Sequence, residues 1–327
     1  MTKVTYFYRS QSSAFSIKKV TQTITAHIDD KVELFVPYTG FKPKVILGNI
    51  WYVFKNRNKK GINHITGEIY YCAIGLIGCR SVITIHDTVS LDFHKGTKFK
   101  HVLLEWLWYR IPLMLATKVI CISEETKRCV QRLTDRDDIV VIHNAVDPLI
   151  HYSEEQVKEC PSILFIGTNP NKNLIRCFNA LKDIDCNVTI IGKLKDEQVE
   201  CLKANGIKYE NRYGLTDEEI REEYKRCNLV SFISLFEGFG MPVIEANKAG
   251  RAVIASAIPV LEEVGQDSAY YVNPLDETEI RAGYIKLLLD VDFRKELIRR
   301  GIENVRNYDY SEILPRWINV YKSINCK

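Results

Sequence analysis

The sequence is poor in the features that mark several common protein classes. Its ten cysteines, scattered from Cys72 to Cys326, include no C-x-x-C pair and no zinc-ligand spacing, so a dithiol redox motif and a zinc module are both excluded. Nor do they form the dense framework of a small secreted domain, and free thiols in a reducing cytoplasm are the expectation. Long hydrophobic runs are missing as well. The uncharged stretch Ile69 to Cys79 has eleven residues, far short of the roughly 20 that a spanning helix needs. Met1-Thr2-Lys3-Val4 leads into no apolar run, so no secretory leader is expected. There is no internal repeat and no low-complexity segment. The first strand candidate is not followed by G-x-G-x-x-G, which argues against a dinucleotide-dependent dehydrogenase.

What is present is a chain of 327 residues with 46% hydrophobic and 26% charged residues, the composition of a globular protein long enough for two domains. The net charge of +4 conceals an asymmetry. Up to Ile150 there are 21 basic and 13 acidic residues; beyond it there are 24 and 28. A basic first half and an acidic second half suggest different partners.

Short apolar runs alternate with amphipathic stretches. Val4–Tyr8, Val32–Val36, Ser81–Ile85, Lys118–Ile122 and Val140–Ile142 read as strands in the first half; Ile163–Ile166, Asn187–Ile191, Leu229–Ile233, Ala252–Ala255 and Ala269–Val272 do so in the second. Helical spacing runs over Ile17–Ile28 and Lys172–Leu181, over His101–Thr117 with Pro112 breaking or kinking it, and over Asp217–Cys227 behind Thr216. The polar stretch from Asp147 to Cys160 is the best boundary. Strand–helix alternation on both sides predicts an α/β protein of two doubly wound, Rossmann-like domains, spanning 1–150 and 151–308, with a terminal helix over 309–327. Ligands of such sheets sit beyond the carboxyl ends of the strands, so two facing domains would enclose a cleft.

The densest chemical signal is Ser234-Leu235-Phe236-Glu237-Gly238-Phe239-Gly240-Met241-Pro242-Val243-Ile244-Glu245-Ala246. A strand ends just before it. Gly238 and Gly240 allow close backbone approach to a ligand, and Pro242 suits a first helical turn. The free N–H groups from Met241 onward suit a phosphate. Glu245 stands about one turn inside the helix, where its carboxylate can accept from two ribose hydroxyls. Glu237 precedes it by eight residues, in the loop. A second constellation is Phe165-Ile166-Gly167-Thr168-Asn169-Pro170-Asn171-Lys172-Asn173, where Lys172 offers a cation to a departing diphosphate. A third is Thr84-Ile85-His86-Asp87, whose histidine closes a strand and is suited to hydrogen bonding or proton transfer. His64 reads equally as a site residue or a local one.

These segments resemble glycosyltransferase family 4, the retaining transferases of GT-B fold. Glu237 to Glu245 resembles the family's E-x7-E motif. Gly214-Leu215-Thr216-Asp217-Glu218-Glu219, Gly250 to Ser256, Leu261 to Val264 and Ser268 to Pro274 resemble its neighbouring motifs. The resemblance implies a retaining hexosyltransferase moving sugar from a nucleotide-sugar to a glycan acceptor, itself expected to be lipid-linked. It assigns His86, Glu237 and Lys172 to catalysis. Glu245, Gly238, Phe239, Gly240, Met241, Thr168, Gly192 and Tyr213 would bind the nucleotide-sugar. Thr168 stands where relatives carry a first cation, and serines follow the first strand where many relatives have glycines. The terminal helix would return to the first domain. Asn144-Ala145-Val146-Asp147 resembles a family segment before the linker and reads as structural.

No cofactor and no catalytic metal are expected. Asp135-Arg136-Asp137, Asp183-Ile184-Asp185 and Asp290-Val291-Asp292 lie in polar turns or beside helices rather than after a central strand. Basic and aromatic residues alternate around Trp51 to Lys60 and Lys95 to Tyr109, consistent with an anionic membrane surface and with peripheral attachment to the inner face of the cytoplasmic membrane. No nucleic-acid module is visible. Two rivals stay open: a GT-B phosphorylase or isomerase, and a non-catalytic sugar-nucleotide-binding partner.

Overall fold

Runs rich in β-branched and aromatic residues, without polar alternation, form strands buried on both faces, the mark of parallel sheets covered by helices. Val4–Tyr8 (β1) is buried at every position, as are Ile62–Thr66 (β3) and Leu229–Phe232 (β10). The computed structural model describes residues 3–10, 15–88, 98–155 and 160–325.

The chain divides into two units, one comprising Met1–Ala145 and Tyr310–Lys327, the other Val146–Asp309. The first holds β1, Lys31–Phe35 (β2), β3, Arg80–Ile85 (β4), Lys118–Cys121 (β5) and Ile139–Val141 (β6), all parallel in the order β2-β1-β3-β4-β5-β6. The second holds Ser162–Ile166 (β7), Asn187–Ile191 (β8), Lys208–Arg212 (β9), β10, Ala252–Ser256 (β11) and Tyr270–Val272 (β12), in the order β12-β11-β10-β7-β8-β9, also parallel. Each unit is thus an α/β doubly wound sheet. The division falls at Ala145/Val146, a few residues before the boundary read from polarity. The Val146 N–H donates to Tyr308 O, and Arg221 pairs with Asp147, which ties Val146-Asp147 to the second unit.

Two apolar layers flank each sheet. In the first unit, one layer gathers Val53, Tyr70, Tyr71, Trp108 and Leu113. The other gathers Tyr6, Tyr8 and Ile24 with Ile313, Trp317, Val320, Tyr321 and Ile324 of the last helix, Tyr310–Asn325. That helix is held by polar contacts as well. Tyr321 OH lies 2.9 Å from Tyr6 OH and 2.7 Å from His64 Nδ1, while His64 Nε2 lies 2.8 Å from Thr84 Oγ1. His64 therefore sits inside β3, fully buried, and of its two readings the local, structural one holds. Burial drives its pKa down to about 3, so the ring is neutral and both nitrogens serve hydrogen bonds.

Two other expectations change. The helix predicted over His101–Thr117 is interrupted by a π-helical turn, Trp106–Arg110, between Lys98–Glu105 and Ile111–Leu115. Pro112 lacks an N–H, and the wider turn just upstream accommodates the missing bond. The helix predicted from Lys172 begins at Leu174. Lys172 instead ends a 3-10 turn, and Asn173 is left-handed at φ 57°. Asn173 holds this conformation by donating from Nδ2 to Pro274 O at 2.7 Å.

Candidate active site

In a doubly wound sheet the loops on either side of the strand-order reversal part and leave a crevice. In the second unit that reversal lies between β7 and β10, whose registers run Leu229↔Ile163 to Ser231↔Phe165. The two segments singled out by sequence are the loops that leave these strands. They bind each other directly. Leu235 N donates to Asn171 O at 2.8 Å. Asn171 Nδ2 donates to Phe236 O and to Glu237 Oε1, each at 3.2 Å. Lys172 Nζ reaches the same Oε1 at 2.5 Å and lies 4.3 Å over the Phe232 ring. Lys172 and Glu237 are both largely buried, with side chains 17% and 14% exposed. A charge pair in such surroundings is stronger than one in open water. One cation and one carboxylate from separate loops thus meet at the switch point.

The β10 loop ends in Gly240 at φ 109°, whose left-handed backbone caps the helix Met241–Ala249. A Cβ there would come within 2.5 Å of Leu261 Cδ2, so only glycine fits the turn. Pro242 occupies the first turn, where its missing N–H is no loss. Phe239 is buried edge-to-face on Tyr308, with ring centroids 5.9 Å apart, and anchors the loop. Gly238 and Met241 flank this anchor, half-buried.

Glu245 is half-buried one turn inside that helix, and its Oε2 accepts from Tyr224 OH at 2.7 Å. Tyr224 is fully buried, and burial followed by the neighbouring carboxylate holds its phenol well above the usual range. It therefore stays a donor and fixes the carboxylate. A carboxylate offers about four acceptor positions, and Tyr224 takes one of them.

Thr168 and Gly192 meet at the ends of β7 and β8. Thr168 Oγ1 donates to Lys193 O at 2.8 Å. Gly192 has φ 130°, and a Cβ there would sit 2.9 Å from Thr168 Cγ2. Tyr213 lies just beyond β9 and is 65% exposed, next to Arg212, which pairs with Glu223. All eight predicted nucleotide-sugar residues, with Lys172 and Glu237, thus lie in the loops and the helix beyond the carboxyl ends of β7, β8, β9 and β10.

His86 belongs to the first unit. It closes β4, is 5% exposed, and lines a small cavity with Thr21, Thr84, His143, Asn144 and Trp317. Its backbone N donates to Tyr70 OH at 3.1 Å, while Nε2 has no hydrogen-bond partner among the described residues. Burial lowers its pKa to about 4. At neutral pH the ring is uncharged, which suits a hydrogen-bonding group better than a proton carrier. The first unit has its own strand-order reversal, between β1 and β3. There Arg9 and Glu68 pair at 2.5 Å in a cavity walled by Tyr38, Phe41, Tyr71 and Trp108. Of the serine-rich segment after β1, residues 11–14 lie outside the described residues.

Sequence reasoning did not assign Asn171, Phe232 or Tyr224 to the site. Asn171 was adjacent to the chosen lysine, but nothing in a single sequence shows which neighbour bridges to another loop. Among the described residues no three His, Cys, Asp or Glu side chains cluster as metal ligands, and no helix is long and apolar enough to cross a membrane.

Comparison with known proteins completes the picture. The family described as Glycosyl transferases group 1 matches residues 150–304, and Glycosyltransferase Family 4 matches residues 21–148. The O-antigen chain mannosyltransferase RfbU of Salmonella typhimurium is 25% identical over 253 residues, 72% of this chain and 68% of that protein. The serotype-specific mannosyltransferase WbdA of Escherichia coli is 29% identical over 228 residues, 60% of this chain; the match spans only 27% of WbdA's length. Among solved structures, Anabaena HepE in complex with UDP and glucose superposes with a TM-score of 0.78 at 14% identity, covering 99% of this chain and all of that one.

Proposed function

The chain belongs to glycosyltransferase family 4, and from that membership we propose that it moves a hexose from a nucleoside-diphosphate sugar to a glycan acceptor with retention of anomeric configuration. The observation that carries this reading is the meeting of Lys172 and Glu237, from the β7 and β10 loops, beside a glycine-capped helix whose Glu245 is held by Tyr224. Glu245 would take the ribose hydroxyls. Lys172 and the N–H groups from Met241 onward would receive the diphosphate, on which negative charge builds as the sugar–phosphate bond breaks. Thr168, Gly192 and Tyr213 would border the nucleoside. HepE was solved with UDP and glucose, which supports a nucleotide-sugar donor here without fixing the base.

In this reading the acceptor hydroxyl attacks the anomeric carbon on the face from which the diphosphate departs. Its proton passes to the leaving phosphate oxygen. Glu237 holds Lys172 and a sugar hydroxyl, and the neutral His86 donates or accepts a hydrogen bond. The reading calls for no divalent metal, since Lys172 and the helix start supply the positive field. The acceptor would be a lipid-linked glycan of surface-polysaccharide synthesis, in keeping with the O-antigen role named for RfbU. The Arg9–Glu68 cavity, with aromatic walls that suit sugar rings, would be its first contact.

Incubation with UDP-, GDP-, ADP- and dTDP-sugars and a lipid-diphosphate glycan, followed by NMR of the product, tests the proposal. An axial donor linkage conserved in the product is expected. An inverted linkage, or turnover that requires inorganic phosphate, favours a different mechanism.

A further inference from the structure

A lysine is a compact charge on a flexible stem, so its position is only as fixed as its surroundings make it. An ammonium that meets a leaving group has to stand where negative charge develops, and about 1 Å of misplacement can cost about 10²-fold in rate. Lys172 ends the 3-10 turn Pro170–Lys172. Its stem lies on Gly167, where a Cβ would come within 3.0 Å of Lys172 Cε, and its Nζ lies 4.3 Å over the Phe232 ring. The floor under the side chain thus comes from the ends of β7 and β10. Its Cα has to be fixed as well.

Asn173 and Arg176 do that. Asn173 turns the chain through a left-handed φ of 57°, a region that asparagine tolerates better than most residues. Both ends of its side-chain amide are bonded. Nδ2 donates to Pro274 O at 2.7 Å, and Oδ1 accepts from Arg176 Nη1 at 2.6 Å. The same Nη1 donates to Pro274 O at 3.1 Å. Pro274 lies just beyond β12, so three bonds close a triangle between the residue after Lys172, the next helix and a third loop of the sheet. Asn173 is buried and Arg176 half-buried. A side chain needed only to start the helix Leu174–Ala180 would cap its first N–H groups, and the Asn173 side chain makes no such bond.

We propose that Asn173 and Arg176 are positioning residues for sugar transfer. They clamp the end of the Pro170–Lys172 turn to the Pro274 carbonyl and so aim the Lys172 ammonium at the departing diphosphate. Both act through the backbone of Lys172 rather than on the reacting atoms. Their role rests on the reading of Lys172 in the preceding section, and it goes beyond that reading by assigning the residues that make this lysine effective. A purely structural clamp would lower the rate whether or not Lys172 is present. A positioning clamp matters only while there is an ammonium to aim.

The experiment is a double-mutant cycle in the full chain. Steady-state kinetics is measured for Asn173→Ala, Asn173→Gly and Arg176→Gln, each with Lys172 intact and with Lys172→Ala. With Lys172 intact, Asn173→Ala should lower kcat about tenfold at nearly constant donor KM, and Arg176→Gln about three- to tenfold. Glycine takes a left-handed backbone freely, so Asn173→Gly should keep at least about a third of the wild-type kcat. With Lys172→Ala, none of the three should change kcat by more than about twofold, because the group they aim is gone. Thermal unfolding identifies any variant that does not fold. Should the buried Asn173 not tolerate alanine, the half-buried Arg176→Gln still decides. Equal losses with and without Lys172, or no loss with Lys172 intact, would overturn the proposal while the reading of Lys172 stands. A Lys172→Ala chain as fast as the wild type would overturn that reading and the clamp with it.

Discussion

At the scale of single residues, the proposed site rests on two oxygens. Glu237 Oε1 gathers Lys172 Nζ and Asn171 Nδ2, and Glu245 Oε2 takes the Tyr224 hydroxyl. Replacing Glu245 by Ala should raise the donor KM about 10- to 100-fold, the worth of charge-assisted hydrogen bonds. Tyr224→Phe should raise it less, because it frees the carboxylate without removing it. Lys172→Ala should lower kcat by about 10²- to 10³-fold, as loss of charge stabilisation does in other active sites. Asn171→Ala should lower kcat about tenfold at nearly constant donor KM. Steady-state kinetics on the four variants separates these outcomes. Glu237 and Glu245 were singled out in the sequence because a motif of fixed spacing carries them, and Lys172 because it offers a cation in the loop that follows a strand. Asn171 and Tyr224 were not, because their roles arise from contacts across 66 and 21 positions, which no local pattern records.

At the scale of elements, ten of the twelve strands among the described residues were readable, while β3, whose INHIT run carries the polar Asn63 and His64, β9 and several helices were not. Central strands such as β1 and β10 show as apolar runs because both of their faces are covered. The edge strand β9, KYENR, is polar and half-exposed, and carries no such signal. The helix Pro43–Asn56 escaped because its apolar residues occupy both faces and leave no single stripe. The start of the helix after Lys172 was misplaced by two residues, since the left-handed Asn173 is set by a carbonyl 101 residues away. The turn at Gly240 can be tested directly. Gly240→Ala places a Cβ against Leu261 in a left-handed backbone, so a loss on the order of 1–3 kcal/mol is expected. Thermal unfolding should show that loss together with weakened donor binding.

At the scale of the whole molecule, the chain leaves the first unit at Ala145 and returns to it with the helix Tyr310–Asn325. Ile313, Trp317, Val320, Tyr321 and Ile324 of that helix are buried in the first unit. At about 1.5–3 kcal/mol each, they rival the entire stability of a domain. A chain ended at Asp309 should therefore lose cooperative unfolding of the first unit, visible as lost near-ultraviolet circular dichroism. The same unit should be sensitive to acid. His64 and His86 have pKa values lowered by burial to about 3 and about 4. Below the ordinary histidine value of about 6.5 the unfolded chain binds protons that the folded chain refuses. Stability from both residues is thus complete above that pH and is lost as pH falls toward 4. Tm should fall over this range, and His64→Gln should flatten the fall.

The uneven charge of the sequence also finds its place at this scale. The acidic half holds the site proposed for an anionic donor, so attraction there must come from Lys172 and the start of the helix Met241–Ala249 rather than from bulk charge. That claim is tested most directly by isothermal titration of the wild-type chain and Glu245→Ala with UDP-, GDP-, ADP- and dTDP-sugars. The account predicts that at least one donor binds the wild type and binds Glu245→Ala about 10- to 100-fold more weakly. Binding of no nucleotide-sugar, or equal binding to the two proteins, would contradict it.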